Sequence, residues 1–463
     1  MKRKLDLSLS EDFLNDCRKK FNLDNSNIIA RNAIASVGSI LSTTDINRVN
    51  NINHIFLNSV KSKKTAATNQ GASGRCWMFA GLNIFRHMLI NALDLEDFEF
   101  SETYLFFWDK LERSNMYISW FIDNPNATFK DDSFDYMITD FMSDGGWWNT
   151  FINLVSKYGL VPVSAMKQTF QSEDSDDMNT IIQNHLLSTV NHIMKNRQKL
   201  DLVSVKQQAL EKIYFVLTKF LGEPPKKFDW KFIVEDQPIC IPNLTPMSFM
   251  DMIIPDTNLV EDFIILTNIP TADMKFNTTY SVNTTCNVEG GINLVFHNLN
   301  IQELTKYAMK SIDNKHSVWF SGDVSKHFNP YHASLDDKLN NTEIVFGKSF
   351  PFSKGERMSL KDIQSCHAMA LTGYNINSKG VPVNWQVENS WGYVDKDTVG
   401  MDGFISMSQS WFETYLTSIV IRKEFLSRTL LKEIENCVRI TLNPWDSVAP
   451  EVFRIRSMNL FRI

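Results

Sequence analysis

One break in texture divides this 463-residue chain: Gly222 followed by Pro224-Pro225. Ahead of it the pattern is helical. Ser10 in front of EDFLNDCRKKF predicts a capped helix with Glu11 and Asp12 in its first turn. From Arg75 onward, Met78, Leu82, Phe85 and Leu89 recur at spacings of four and three, which predicts a long helix with one apolar stripe. SETYLFFWDKL predicts a second helix with an aromatic face, and residues 176–220 are again helical in pattern. Past the Gly/Pro break the texture changes. DFIILTNIP, residues 279–282 and INLVFHNL are short β-prone runs between Asn, Gly and Pro breakers. After a helix near 301–310, three further strands follow in SVWFSGDV, HAMALTGYNI and VNWQVENS. Helices first and strands second is an α+β order with two layers or lobes.

A chain of this length with 43% hydrophobic residues has material for two or three packed units. Its net charge of −6 gives no general basis for binding nucleic acid, which needs a basic surface to release counterions. The basic clusters, such as Lys2-Arg3-Lys4 and Arg18-Lys19-Lys20, are short and read as solvated faces. Six cysteines, at 17, 76, 240, 286, 366 and 437, show no CxxC spacing and fit a reducing compartment. The start, MKRKLDLSLSEDF, carries the charge of a signal peptide without its apolar segment. No run approaches the ~18 apolar residues of a membrane span. A cytosolic location away from membranes is therefore expected.

The chemistry concentrates in three short stretches. In NQGASGRCWMFAG, a polar loop of small residues runs into the predicted helix, placing Cys76 in its first turn. Free N–H groups and the helix dipole there favour an anion, so a lowered thiol pKa is expected. In HAMALTGY, His367 shares a strand face with Met369 and Leu371, and can act as the base that a thiol nucleophile needs. In WQVENSWGY, Asn389 lies on the face of Trp385 and Val387, with Gln386 and Glu388 opposite. Its carboxamide can accept the imidazole N–H and fix the tautomer, with Trp391 covering that bond from water. Gln70, six positions before Cys76, can join the Cys76 N–H as a two-donor oxyanion hole. A small buried hydrophobe, a core histidine and a turn asparagine are the ordinary readings of these residues taken singly. The order Gln–Cys–His–Asn is what makes them specific. His327 and His332 in HFNPYH have Pro330 between them and no third ligand, so no metal is expected.

NQGASGRCW, SCHAMALTGY and VENSWGY resemble the three active-site blocks of papain-like cysteine peptidases. Arg75 departs from the Ser or Ala usual before the cysteine. The 291 positions from Cys76 to His367 also exceed the ~130–150 of the cathepsin pattern. Both departures fit one branch, the bleomycin hydrolase and bacterial aminopeptidase C group, as do ETYLFFWDKLERSN, GGWWNTFINLVSKYGLVP, WFSGDVSKHFN and LNPWD. The resemblance implies a papain-like two-lobe fold, a helical lobe plus a barrel-like antiparallel sheet lobe, with large helical insertions. The implied division is 1–65 as an N-terminal extension, 66–115 as the helical lobe with the nucleophile, 116–290 as a largely helical insertion, 291–440 as the sheet lobe, and 441–463 as a C-terminal arm. It implies Cys76 as nucleophile, His367 as base and acid, Asn389 as orienter and Gln70 as oxyanion donor, with Trp77 and Trp391 supporting. It also implies peptide substrates shortened from the amino end, no cofactor, and a cytosolic homohexamer.

One feature departs from the group. There the chain ends soon after the Pro-Trp-Asp motif, with its terminal carboxylate in the cleft; here it runs 17 residues past Asp446, through VFRIRSMNLFRI. Trimming or rerouting of this tail preserves aminopeptidase action; otherwise endopeptidase or altered specificity follows. Transglutaminases and arylamine acetyltransferases also pair Cys with His, but use Asp as third member, and a catalytically dead scaffold or nucleic-acid-binding protein predicts loss of one of the four groups.

Overall fold

The computed structural model describes residues 8–60, 67–95, 97–254, 258, 260–392 and 402–446. The tail beyond Asp446 lies outside them. Local signals set most helix ends. Ser10 accepts from the Phe13 N–H at the start of Glu11–Leu23, and Ser101 from the Tyr104 N–H at the start of Glu102–Asp123. The predicted 176–220 helix is two, Asp176–Asn196 and Leu202–Leu221, the second capped by Asp201.

The helix Cys76–Leu93 is the centre of the molecule. Fourteen of its eighteen residues are buried, so the single apolar stripe expected from its spacing is corrected to an almost fully enclosed helix. It is packed by Glu102–Asp123, Trp148–Tyr158 and the strand His367–Ile376. Its polar residues Asn83, Arg86 and His87 are buried together with the apolar ones.

Apart from a separate hairpin of Phe228–Val234 and Gln237–Leu244, the described strands form one large, mostly antiparallel sheet, with Leu416–Arg422, Val318–Gly322, His367–Ile376, Pro382–Glu388 and Phe404–Ser408 adjacent in that order. His367 pairs with Gly322, and Ala370 pairs with Glu388. The sheet is larger than expected at both ends. Phe263–Thr267 and Thr278–Val282 belong to it, so its contribution begins at 263 rather than 291. Arg439–Leu442 pairs parallel with Thr278–Val282, which ties the start of the C-terminal arm into the sheet. The N-terminal extension adds Asn58–Ser59 beside Gly373 and Tyr374. Both parts share a continuous core, and the Trp319 indole on the sheet donates to the Trp77 carbonyl on the helix at 3.1 Å.

Candidate active site

The loop before Cys76 is held on both sides. Gly71 has φ +61°, and a Cβ there would lie 2.4 Å from the Glu173 carbonyl oxygen, so this turn requires glycine. The Gln70 N–H donates to the Ser390 carbonyl at 2.8 Å, and the Gly392 N–H to the Thr68 carbonyl at 3.0 Å. These two bonds zip the loop carrying Gln70 to the segment carrying Asn389. Ser390 Oγ donates to Gln70 Oε1 at 2.6 Å, fixing which way the amide faces; Gln70 Nε2 donates one proton to the Ser73 carbonyl at 2.6 Å.

Arg75 sits at the helix start with no exposed surface. Its Nε donates to Ser73 Oγ at 2.7 Å, and its guanidinium lies 5.0 Å and 5.1 Å from the Phe79 and Phe106 ring centres. Burial draws it down to about 10, with Glu102, Asp144 and Glu173 opposing, so it stays charged at neutral pH. Asp144 supports the same loop. It takes Lys110 Nζ at 2.5 Å, Ser175 Oγ at 2.5 Å and Asn179 Nδ2 at 2.8 Å, and the Gly74 N–H at 3.4 Å. Burial alone would raise its pKa; Lys110, Ser175 and Asn179 outweigh it and hold the carboxylate at about 2. The expected supporting residue Trp77 donates its indole N–H to the Asp144 carbonyl at 2.8 Å.

His367 opens its strand and Asn389 directly follows the next one. His367 Nε2 donates to Asn389 Oδ1 at 2.7 Å, an oxygen that also accepts the Ser390 N–H at 2.8 Å. Trp391 stacks on the imidazole with ring centres 4.8 Å apart. Cys76 is the first residue of its helix, and the backbone N–H groups of Ala368, Trp77 and Cys76 itself act to lower its thiol pKa. The influence of Ala368 puts the thiol near the strand end that His367 opens.

The electrostatics differ from the sequence expectation. Cys76 is only 2% exposed, and burial pushes its thiol up to about 12 despite those N–H groups. Burial also pushes His367 down to about 4, opposed by its bond to Asn389. A helix N-terminus alone therefore does not ionise Cys76; desolvation outweighs it. Moving the proton from thiol to imidazole creates both charges together, and their attraction offsets part of that cost, ~4 kcal/mol at 4 Å for an effective dielectric near 20.

Sequence reasoning missed Ser390, Asp144 with Lys110, and a buried Arg86–His87–Glu388 group behind Asn389. All six cysteines are unpaired. Among the described residues no His/Cys/Asp/Glu cluster is arranged for a metal, and no helix is long and apolar enough to cross a membrane. His327 packs on the Tyr415 ring, 5.5 Å between centres.

Comparison with known proteins shows the family. The profile of the Peptidase C1-like family matches residues 8–449. An aminopeptidase C of Listeria monocytogenes is 35% identical, covering 85% of this chain and 88% of that one. A bleomycin hydrolase of Mus musculus is 32% identical over 92% and 95%. The crystal structure of PepW from Lactobacillus rhamnosis HN001 superposes with a TM-score of 0.88 at 29% identity, covering 95% of this chain and 98% of that one.

Proposed function

The chain belongs to the Peptidase C1-like family and is a cysteine peptidase; within that class we propose that it removes amino acids from the N-terminus of peptides through a thioester on Cys76. The observation carrying this reading is the His367–Asn389 bond of 2.7 Å, at the strand end whose Ala368 N–H lowers the Cys76 thiol pKa. With Nε2 donating to Asn389, the free lone pair of His367 is on Nδ1, which takes the thiol proton as the sulfur attacks the peptide carbonyl carbon. The second N–H of Gln70 Nε2 and the Cys76 N–H receive the developing oxyanion. His367 returns the proton to the leaving amine as the C–N bond breaks. Water, deprotonated by the same imidazole, then hydrolyses the thioester and restores the thiol. No step calls on a metal or cofactor.

The aminopeptidase names of its relatives support peptide substrates with a free amino end. A cytosolic location accords with six unpaired cysteines. Assembly with further copies of the chain, as a hexamer, accords with the first two helices, Glu11–Leu23 and Asn25–Thr43, which expose Phe13, Leu14, Phe21, Ile29, Val37 and Leu41. Mass spectrometry of a defined peptide tests the reaction: residues leave singly from a free amino end, and Cys76→Ala abolishes release. Efficient cleavage of the N-acetylated peptide refutes the exopeptidase reading. Native mass spectrometry reads the assembly, and a monomer at micromolar concentration refutes that part.

A further inference from the structure

Arg86, His87 and Glu388 are each 1% exposed, and the reaction proposed above makes no use of them. Arg86 and His87 lie on the helix that begins with Cys76; Glu388 ends the strand that leads into Asn389. Arg86 Nη2 donates to Glu388 Oε1, and His87 Nε2 donates to Glu388 Oε2 at 2.7 Å. Burial holds His87 low and therefore neutral. Since the carboxylate can only accept, the single ring proton is on Nε2, and Nδ1 accepts from Ser317 Oγ at 2.7 Å. Burial alone would raise Glu388; Arg86 and His87 outweigh it and hold it ionised, at about 2.

As a stabilising device this group is poor. Among the described residues, Arg86 Nε and Nη1 are buried with no hydrogen-bond partner. A buried ion pair is often replaceable by apolar side chains of similar volume without loss of stability. What apolar contacts lack is direction: two carboxylate oxygens gripped by two donors fix the rotation and distance of the strand end. The Glu102 carboxyl, 1% exposed, faces the guanidiniums of both Arg86 and Arg75, but burial raises it to about 8, so it is mainly protonated at neutral pH.

We propose that Glu388, gripped by Arg86 and His87, is a positioning residue that holds the Asn389 strand end against the Cys76 helix and so sets the separation of His367 from the nucleophile. This rests on the peptidase reading above. The triple variant Arg86→Met, His87→Leu, Glu388→Leu replaces the whole group by apolar side chains. It is expected to fold with a melting temperature close to the parent's, while kcat falls ~10–100-fold with KM nearly unchanged, since displacements near 1 Å cost that much. Alkylation of Cys76 by iodoacetamide, read across pH 5–9, should slow in parallel without any substrate present. A folded triple variant with the parent's kcat and alkylation profile overturns the proposal. If the triple variant does not fold, Ser317→Ala releases only the far end of His87. It should lower kcat and alkylation rate together several-fold, and Ser317→Thr should restore both; unchanged values for Ser317→Ala overturn the proposal. A parent enzyme that releases no amino acid, or releases it equally as Cys76→Ala, sinks the peptidase reading instead.

Discussion

Replacing Asn389 by alanine isolates the one bond that orients the imidazole. His367 Nε2 reaches Asn389 Oδ1 at 2.7 Å, with the two residues 5% and 1% exposed, so water does not substitute readily for the lost acceptor. In the resting enzyme the donor is a neutral imidazole. At the transition state His367 carries the thiol proton, and the same bond becomes charge-assisted, worth ~1.5–3 kcal/mol. At ~1.36 kcal/mol per factor of ten, kcat/KM should fall ~10–160-fold. The loss should appear in kcat, because Asn389 bonds to His367 and Ser390 and is given no substrate contact. Activity should remain above that of His367→Ala, since the Trp391 ring still lies 4.8 Å from the imidazole and keeps part of its orientation. Steady-state kinetics on an aminoacyl fluorogenic amide, with active sites counted by alkylation, measures this. A kcat/KM within ~2-fold of the parent, alongside an inactive His367→Ala, would refute an orienting role for Asn389.

Two further outcomes follow from burial and packing. Glu388 and Asp144 are held at about 2 from ordinary values of 4.5 and 3.8, so the unfolded chain takes up protons first; their stabilisation is present above about 4.5 and lost as pH falls toward 2. His367, held at about 4 from 6.5, acts with the same sign at higher pH. Glu102, raised by burial from 4.5 to about 8, acts with the opposite sign between pH 8 and 4.5, so the melting temperature should decline clearly only below about pH 4.5, and a melting temperature unchanged from about pH 4.5 to about 2.5 contradicts this. A Cβ on Gly146 would lie 2.5 Å from the Trp77 ring and 2.7 Å from Thr150 Oγ1. Gly146→Ala should destabilise by ~1–3 kcal/mol in denaturant titration, and an unchanged midpoint would show that the Trp77 wall yields.

What the sequence revealed and what it hid divide along contact range. Cys76, His367, Asn389 and Gln70 stand inside local patterns whose chemistry reads in a few residues, and the structure brings Gln70 and Asn389 together through Ser390. Helix starts were legible at Ser10 and Ser101 because capping is decided within three residues. Glu388 was not legible. On an alternating strand it stands opposite Val387 and reads as solvated, yet its partner Arg86 is 302 positions away and covers that face. The sheet's true extent was hidden for the same reason: 263–267 reads as β-prone, but only pairing with 416–422 assigns it to the sheet. The helix Cys76–Leu93 carries Asn83, Arg86 and His87, which suggest an exposed side; the helix is enclosed because those polar groups find buried partners.

Taken together, the charges in this site are arranged so that none stands on the reacting atoms at rest. The permanent ones, Arg75, Asp144 with Lys110, and Glu388 with Arg86, lie one layer back, where each hydrogen-bonds the loops carrying the reacting groups or pairs with a group that does. Cys76 and His367 themselves are dried out, and burial opposes either ionising alone. In the proposed reaction, charge then appears on them only as a proton passes from sulfur to imidazole, while the Gln70 amide and the Cys76 N–H meet the negative charge as it moves onto the substrate oxygen. A site built this way loses little to reorganisation, because its donors are fixed by Ser390, Ser73 and the helix start before substrate arrives. The fixed ionic frame and the uncharged reacting pair are therefore two parts of one design: rigidity is supplied by buried ion pairs one layer back, and, in the proposed reaction, reactivity by groups whose charges are made and consumed within the cycle.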